Sequence, residues 1–339
     1  MIRREPSRED SIIERFFRPL AKHPGALALG DDAALLPPQA GFDFVITADT
    51  TTAGVHFFPD DPADLIAKKA LRVNLSDLAA KGAEPVGATL ALSMSAATGE
   101  VWLEKFARGL GEDCEAFACP LLGGDTTKTP GPLSISITAI GKVPSGQMVK
   151  RAGARAGDLV VVSGTIGDAA LGLLALKREG LIGGLSREQI PELVRRYRVP
   201  EPRLALAPVL REYANAAMDI SDGLAGDLAK LAAQSGVGAF IETARLPLSG
   251  PAENALRNEQ SITGLIDDPH MLSTILTGGD DYEVLCAIPE TEFHAFAEAA
   301  GAAGVPVTAI GRFESGGEVE VLGSKGQRIT LDRLSYSHF

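Results

Sequence analysis

The sequence predicts an α/β protein built as two halves, and three observations carry that prediction. Runs rich in β-branched residues alternate with stretches whose apolar residues recur at three-and-four spacing. At roughly 100–200 residues per domain, 339 residues suggest two domains, each with material for its own core. One segment, residues 142–158, breaks the pattern: Pro144, Gly146, Gly153 and Gly157 alternate with Lys150, Arg151 and Arg155, and no apolar period survives there. We therefore place an N-terminal α/β domain at residues 1–145 and a C-terminal one at 146–339.

Strands are expected at residues 44–47, 86–92, 133–140, 159–162, 239–242, 283–288 and 305–310, where Val, Ile and Leu cluster. Helices are expected between them, at 64–80, 100–117, 169–179, 203–214, 224–234 and 290–300. A hairpin of residues 318–322 and 328–331, turning around Gly323 to Gly326, closes the second half.

Composition excludes several classes. Apolar residues make up 45% and charged residues 22%, which leaves neither disorder nor low complexity as a reading. A net charge of −12 opposes binding to a phosphate backbone, so nucleic acid is not an expected partner. The longest uncharged stretch, residues 85–99, is too short and too polar for a membrane span. The start of the chain carries Arg3, Arg4, Glu5, Arg8, Glu9 and Asp10 without an apolar segment, so no secretory signal is read and a cytoplasmic location is expected. Cys114, Cys119 and Cys286 are too few and too scattered for a disulfide framework or a four-ligand zinc site; reduced thiols are expected.

No P-loop, no dinucleotide fingerprint after a strand, no His-Arg-Asp kinase loop, no G-x-S-x-G elbow and no H-E-x-x-H occurs. What stands out is a series of aspartates beside Gly, Ser or Thr, read as turns: Gly30-Asp31-Asp32-Ala33, Thr47-Ala48-Asp49-Thr50, Gly123-Gly124-Asp125-Thr126-Thr127, Asp219-Ile220-Ser221-Asp222-Gly223 and Gly278-Gly279-Asp280-Asp281-Tyr282. Taken singly, each is explained by turn and helix-cap preference. Taken together at strand ends, they offer hard oxygen donors of the kind Mg²⁺ takes alongside phosphate. Carboxylates within about 4 Å repel by roughly 4 kcal/mol per pair at an effective dielectric near 20, so a convergent set needs a cation.

Asp77 lies in a helix that Gly82 is expected to end, on one stripe with Asn74 and Lys81. An Asp77–Lys81 surface ion pair is the plain reading; the apolar remainder of the helix favours instead a buried Asn74–Asp77 pair that needs a ligand. His56, between apolar neighbours, is either a hydrogen-bonded structural residue or a substrate contact. Arg151 and Arg155 either keep the connector solvated or clamp phosphate oxygens.

The ordered series GDDAALL, TADTTTAGVHF, NLSDLAAKGAEP, LLGGDTT, KRAGARAGD, MDISDGLAGDL, TGGDDYEV and a final His338-Phe339 resembles the thiamine-monophosphate kinase family, from about Asp10 to the end. The resemblance implies two α/β halves of the aminoimidazole ribonucleotide synthetase-like type and a homodimer in which the N-terminal sheets pair. It also implies ATP and several Mg²⁺ ions between the halves, and direct in-line transfer of the γ-phosphoryl group to thiamine monophosphate. By motif, Asp32, Thr47, Asp49, Asp77, Asp125, Asp219 and Asp222 take metal-ligand places; Gly124, Asp125, Arg151 and Ser221 take ATP-contacting places; His56 and Asp280 take places facing thiamine phosphate. No side chain is assigned as a catalytic nucleophile or base. The chain departs from the family pattern in three places, with Lys81 for a usual Met, Asp280 for Glu and Arg333 for an aromatic residue. Two other readings remain. One is a different ATP-dependent synthetase of the superfamily, although no cysteine lies in a Gly-rich N-terminal loop as in selenophosphate synthetase, and none is terminal as in the hydrogenase-maturation dehydratase. The other is a non-catalytic nucleotide- or Mg²⁺-binding scaffold.

Overall fold

A computed structural model describes residues 8–177, 182, 185–263 and 270–335. The expected end of the third helix at Glu179 and the final His338-Phe339 lie outside the described residues. The chain divides into two compact units, one of Met1–Leu78 and Glu84–Gly146, the other of Ala79–Ala83 and Gln147–Phe339.

The first unit opens with α1 (Arg8–Ile12), a wider turn at Ile13–Phe17 and tight turns to Leu29. Its sheet has the order β1 (Phe42–Thr52), β4 (Ser134–Pro144), β2 (Glu84–Met94), β3 (Leu121–Lys128), antiparallel except where β2 and β3 run parallel. Along β1, Val45 and Thr51 are buried while Phe44 and Ile46 on the opposite face stand 41% and 66% exposed, the period-two signature of a sheet covered on one side. α2 (Ala63–Ala80) reaches β1 through two hydrogen bonds described below. α3 (Glu100–Ala116) is fixed to it by Arg72, which grips Asp113 with Nε and Nη2 at 2.6 and 2.9 Å. The two helices approach so closely that a Cβ at Gly109 would strike the backbone of Asp64.

The second unit holds a sheet in the order β11 (Arg328–Ile329), β10 (Val319–Leu322), β7 (Gly238–Glu242), β9 (Val307–Glu314), β5 (Leu159–Ser163), β8 (Val284–Ile288), β6 (Ala216–Asp219), parallel only between β10 and β7. Both faces are buried, which is why β5 and β8 read as unbroken apolar runs. Val160 and Val162 enter one cluster with α4 (Asp168–Lys177), α5 (Ile190–Arg198), α7 (Leu224–Ser235), α8 (Gly250–Thr263) and α9 (His270–Thr277). Val161 enters another with α6 (Ala207–Tyr213) and α10 (Phe293–Ala302).

Two of the expected turns are strands. Thr47, Asp49 and Thr50 lie inside β1, whose threonine run suits an extended, half-buried backbone. Gly123 to Thr127 lie inside β3, where Gly124 is needed because a Cβ there would collide with the Leu90 carbonyl of β2. α5, α8, α9, β6 and the N-terminal turns have no counterpart among the expected elements.

Candidate functional site

In the first unit, period two along β1 puts Thr47 and Asp49 on the same face as Val45 and Thr51, towards α2. Three-and-four spacing on α2 brings Asn74 and Asp77 to meet them. The Thr47 hydroxyl donates to Asp77 Oδ2 at 2.5 Å, and the Asp49 amide donates to Asn74 Oδ1 at 3.1 Å. Asn74 is wholly buried and its Nδ2 donates to the Ala70 carbonyl at 3.0 Å, which fixes the amide orientation. Asp77 is half-buried, as are Thr47 and Asp49. Four oxygen-bearing side chains thus share one strand–helix seam.

Asp32 and Asp125 line a separate cavity of about 460 Å³ in this unit, together with Asp31, Gly123, Gly124 and Thr126. Both carboxylates are exposed. Leu27, Ala28 and Leu29 wind a left-handed turn, at φ of 49°, 54° and 53°, that delivers Asp31 and Asp32 to the cavity. His56 is half-buried; its Nδ1 accepts from the Thr52 amide at 3.1 Å, so a neutral ring carries its proton on Nε2, and Lys69 Nζ donates to its carbonyl at 2.9 Å.

In the second unit, Asp219 ends β6 at 7% exposure, and Ser221 and Asp222 follow on the turn into α7. Asp227, wholly buried one turn into α7, accepts from the Ser221 and Asp222 amides at 3.0 and 2.9 Å. Lys230 ties Asp227 and Asp222 together. Burial raises the carboxyl of Asp227 above its ordinary value, opposed by the Lys230 ammonium. Asp280 is half-buried at φ 65° and its amide donates to the Ser221 carbonyl at 2.8 Å, so it neighbours the Asp219–Asp222 turn. Arg151 is exposed in the connector, away from any ion pair among the described residues. Lys81 donates to the Ala217 carbonyl at 2.6 Å and Gly82, at φ 70°, ends α2. Arg333 is exposed.

The three cysteines are free and buried; burial pushes the Cys114 and Cys119 thiols up to about 12 and Cys286 higher still, so none is poised as a nucleophile. Among the described residues no three His, Cys, Asp or Glu side chains converge on one point that could hold a metal ion. The sequence reading missed Asp227, Lys230, Glu283, Arg196 and Arg203. For Asp227 a signal existed: an acidic residue in the first turn of the helix that follows a Ser-Asp-Gly turn is placed to accept that turn's amides.

Two α/β units with carboxylates presented on a strand–helix seam, on an edge strand and on turns beside a helix start define the class. Family models for AIR synthase related protein match it, the N-terminal domain over residues 30–143 and the C-terminal domain over 155–324. The thiamine-monophosphate kinase of Caulobacter vibrioides is 44% identical over 335 residues, covering 98% of this chain and 91% of its own. The crystal structure of thiamine-monophosphate kinase from Stenotrophomonas maltophilia K279a is 40% identical with a TM-score of 0.79, over 92% of this chain and 95% of that one. AaThiL complexed with AMPPCP and TMP is 32% identical with a TM-score of 0.75, over 91% of each chain. The chain belongs to the thiamine-monophosphate kinase family.

Proposed function

We infer that the protein transfers the γ-phosphoryl group of ATP directly to thiamine monophosphate, giving thiamine diphosphate and ADP, as the last phosphorylation in making that cofactor. The observation that carries this reading is identity of 44% to a thiamine-monophosphate kinase over 98% of the chain. The binding of AMPPCP and TMP by a neighbour of the same fold supports both substrates.

The chemistry fits the residues. A phosphate monoester has a second pKa near 6, so the acceptor is already ionised near neutral pH and needs no general base. Two polyanions must instead be aligned, and positioning with charge neutralisation does most of the work in such transfers. The seam of Thr47, Asp49, Asp77 and Asn74 supplies oxygen donors only, a set suited to Mg²⁺. Mg²⁺ characteristically takes one or two carboxylates and leaves its other positions to water and nucleotide phosphates. Bound there, Mg²⁺ would neutralise charge developing on the transferred group. We assign Asp32, Thr47, Asp49, Asp77, Asp125, Asp219 and Asp222 to several such ions, Gly124, Asp125, Arg151 and Ser221 to ATP, and His56 and Asp280 to thiamine phosphate. Residues 1–145 then bear most of the nucleotide and metal contacts, and 146–339 complete the site.

The same reading makes the protein a homodimer, with a second copy covering the outward face of β1, where Phe44 and Ile46 stand exposed. A cytoplasmic location goes with free cysteines and an ATP co-substrate. Among the described residues no helix is long and apolar enough to cross a membrane.

Incubation with ATP, Mg²⁺ and thiamine monophosphate is expected to yield thiamine diphosphate without label on the chain from γ-labelled ATP. Absence of product with ATP still bound would favour a nucleotide-binding scaffold, and stoichiometric label on the protein would overturn direct transfer.

A further inference from the structure

Gly279, Asp280 and Tyr282 all stand at positive φ, of 74°, 65° and 50°. Two of these are not glycine, and a backbone in that region persists where its surroundings over-determine it. The loop is held to the Asp219–Asp222 turn by three backbone hydrogen bonds of 2.8 Å: Asp280 N–H to the Ser221 carbonyl, Tyr282 N–H to the Ile220 carbonyl, and Ile220 N–H to the Glu283 carbonyl. Glu283 is therefore the residue at which this pairing enters β8.

Its side chain is wholly buried and saturated with donors. Oε1 accepts from Nη2 of Arg196 and Nη2 of Arg203, each at 2.6 Å; Oε2 accepts from Nε of Arg203 at 2.7 Å and from the Ser163 hydroxyl at 2.6 Å. Ser163 Oγ in turn accepts from the Val284 amide at 2.8 Å, so the hydroxyl ties the carboxylate to the next residue of its own strand. Gly164, at φ 56°, leaves the room; a Cβ there would collide with the carboxylate. Arg196 comes from α5 and Arg203 from the segment after it, so the knot joins elements some 80 residues apart in sequence. A buried ion pair is weak evidence for added stability, since apolar packing of the same volume often does as well. What apolar packing lacks is direction, and here four directional bonds converge on the residue that anchors a left-handed loop.

We propose that Glu283, clamped by Arg196, Arg203 and Ser163, is a positioning residue for phosphoryl transfer: it fixes residues 280–283 against 219–222, so that Asp280 and the Asp219, Ser221, Asp222 set keep one relative placement. The inference rests on the reading of those residues as substrate- and metal-side groups. It assigns Glu283 no contact with substrate. Loosening the knot frees the loop while the sheet behind it, buried on both faces, stays formed.

The test measures amide hydrogen exchange of the full-length, ligand-free protein, alongside steady-state kinetics, for the parent, Glu283→Gln and the milder Ser163→Ala. All are compared well below their melting temperatures. Exchange at Asp280, Tyr282 and Ile220 is expected to accelerate at least tenfold in either variant, while Val161 and Cys286 within β5 and β8 remain protected. In the kinetics, kcat is expected to fall at least tenfold with KM for ATP changed less than threefold. Unchanged protection at Asp280 and Tyr282, or a rate loss that only tracks the folded fraction, would overturn the proposal. Should Glu283→Gln not fold, Ser163→Ala carries the same readouts. A parent that makes no thiamine diphosphate would sink the proposed function instead, and the exchange data would still decide whether the knot holds the loop.

Discussion

In the first unit, Thr47, Asp49 and Asp125 ride on strands whose position is set by a long backbone ladder; in the second, Ser221, Asp222 and Asp280 sit on loops joined by three backbone hydrogen bonds and backed by buried side chains. β1 is paired with β4 along its whole length, from Phe42 opposite Pro144 to Thr52 opposite Ser134, so a carboxylate at 49 inherits its place from eleven register positions. The loop at residues 278–283 has no such ladder. It relies on Glu283 between two guanidiniums and on Asp227 beneath the Ser221 and Asp222 amides. Strand-borne residues can thus be spent on ligands without cost to the fold, whereas the loop-borne ones depend on neighbours whose loss costs stability and placement together.

The largest effect that sharpens this contrast is on activity. Asp125 is exposed on the edge strand β3, so Asp125→Asn should change unfolding free energy by no more than about 0.5 kcal/mol in chelator. Phosphoryl transfer should nevertheless fall by about 10²–10³-fold, the usual scale for removing one charge-stabilising group. Thermal melts in chelator and in Mg²⁺ plus ATP, with initial rates, check both halves. A metal-independent loss of stability with activity intact would make Asp125 a structural residue.

For Glu283→Gln the loss should appear in stability as well as rate. Removing one partner of a buried ion pair costs about 3–5 kcal/mol, because two guanidiniums are left facing a neutral amide. Denaturant unfolding measures it, and a loss under about 1 kcal/mol would erase the distinction between the two units. Next in size is Asp280→Asn, which keeps a residue tolerant of the left-handed backbone and removes the charge. If Asp280 faces thiamine phosphate, KM for that substrate should rise about tenfold, the scale of one charge-assisted hydrogen bond, with KM for ATP within about twofold. Equal rises for both substrates would move Asp280 off the substrate side.

The same contrast explains what the sequence let one see. The seven strands expected from β-branched runs all lie where strands form, because burial of one or both faces writes itself into local composition. β3 stayed hidden because Gly123 and Gly124 look like a turn; what Gly124 provides is clearance for the Leu90 carbonyl, a demand that comes from the neighbouring strand. α5 is legible although absent from the expected elements: Ile190, Leu193, Val194 and Tyr197 recur at three-and-four spacing behind Pro191, whereas the burial of Arg196 on that helix is not local, since it answers Glu283, 87 residues later. In the site, the Asp-Gly and Asp-Thr clusters are visible as residue types, and the stripe of Asn74 and Asp77 follows from helix spacing. The Thr47–Asp77 hydrogen bond is not visible, since it spans 30 residues and depends on which face of β1 meets α2.

The smallest effect expected at neutral pH separates the two acids that flank Tyr282. Asp281 is 2% exposed, and both of its carboxyl oxygens lie within 3.0 Å of the Gly167 amide. Burial, aided by Asp168 and Glu283, holds its carboxyl well above the ordinary 3.8, against the opposing pull of Gly167 and Arg196. The folded protein therefore keeps a proton there that the unfolded chain releases near that ordinary value. A group whose pKa is raised on folding contributes its stability fully below the unfolded value and loses it as pH rises through the folded one. Glu283, two residues on, is a carboxylate satisfied by cations and needs its charge, so the two substitutions should part company. Asp281→Asn replaces the protonated acid by a neutral group of the same shape that can still accept from Gly167. It should leave stability at pH 7 within about 1 kcal/mol of the parent, or raise it. The variant's stability minus the parent's should grow as pH rises above about 4, since only the parent carries the titrating group. Denaturant midpoints across that range measure the difference. A variant that loses more than about 2 kcal/mol at pH 7, with the gap widening as pH rises, would mean that Asp281 is ionised and paired with Arg196, and that the loop is held by two charged acids rather than one.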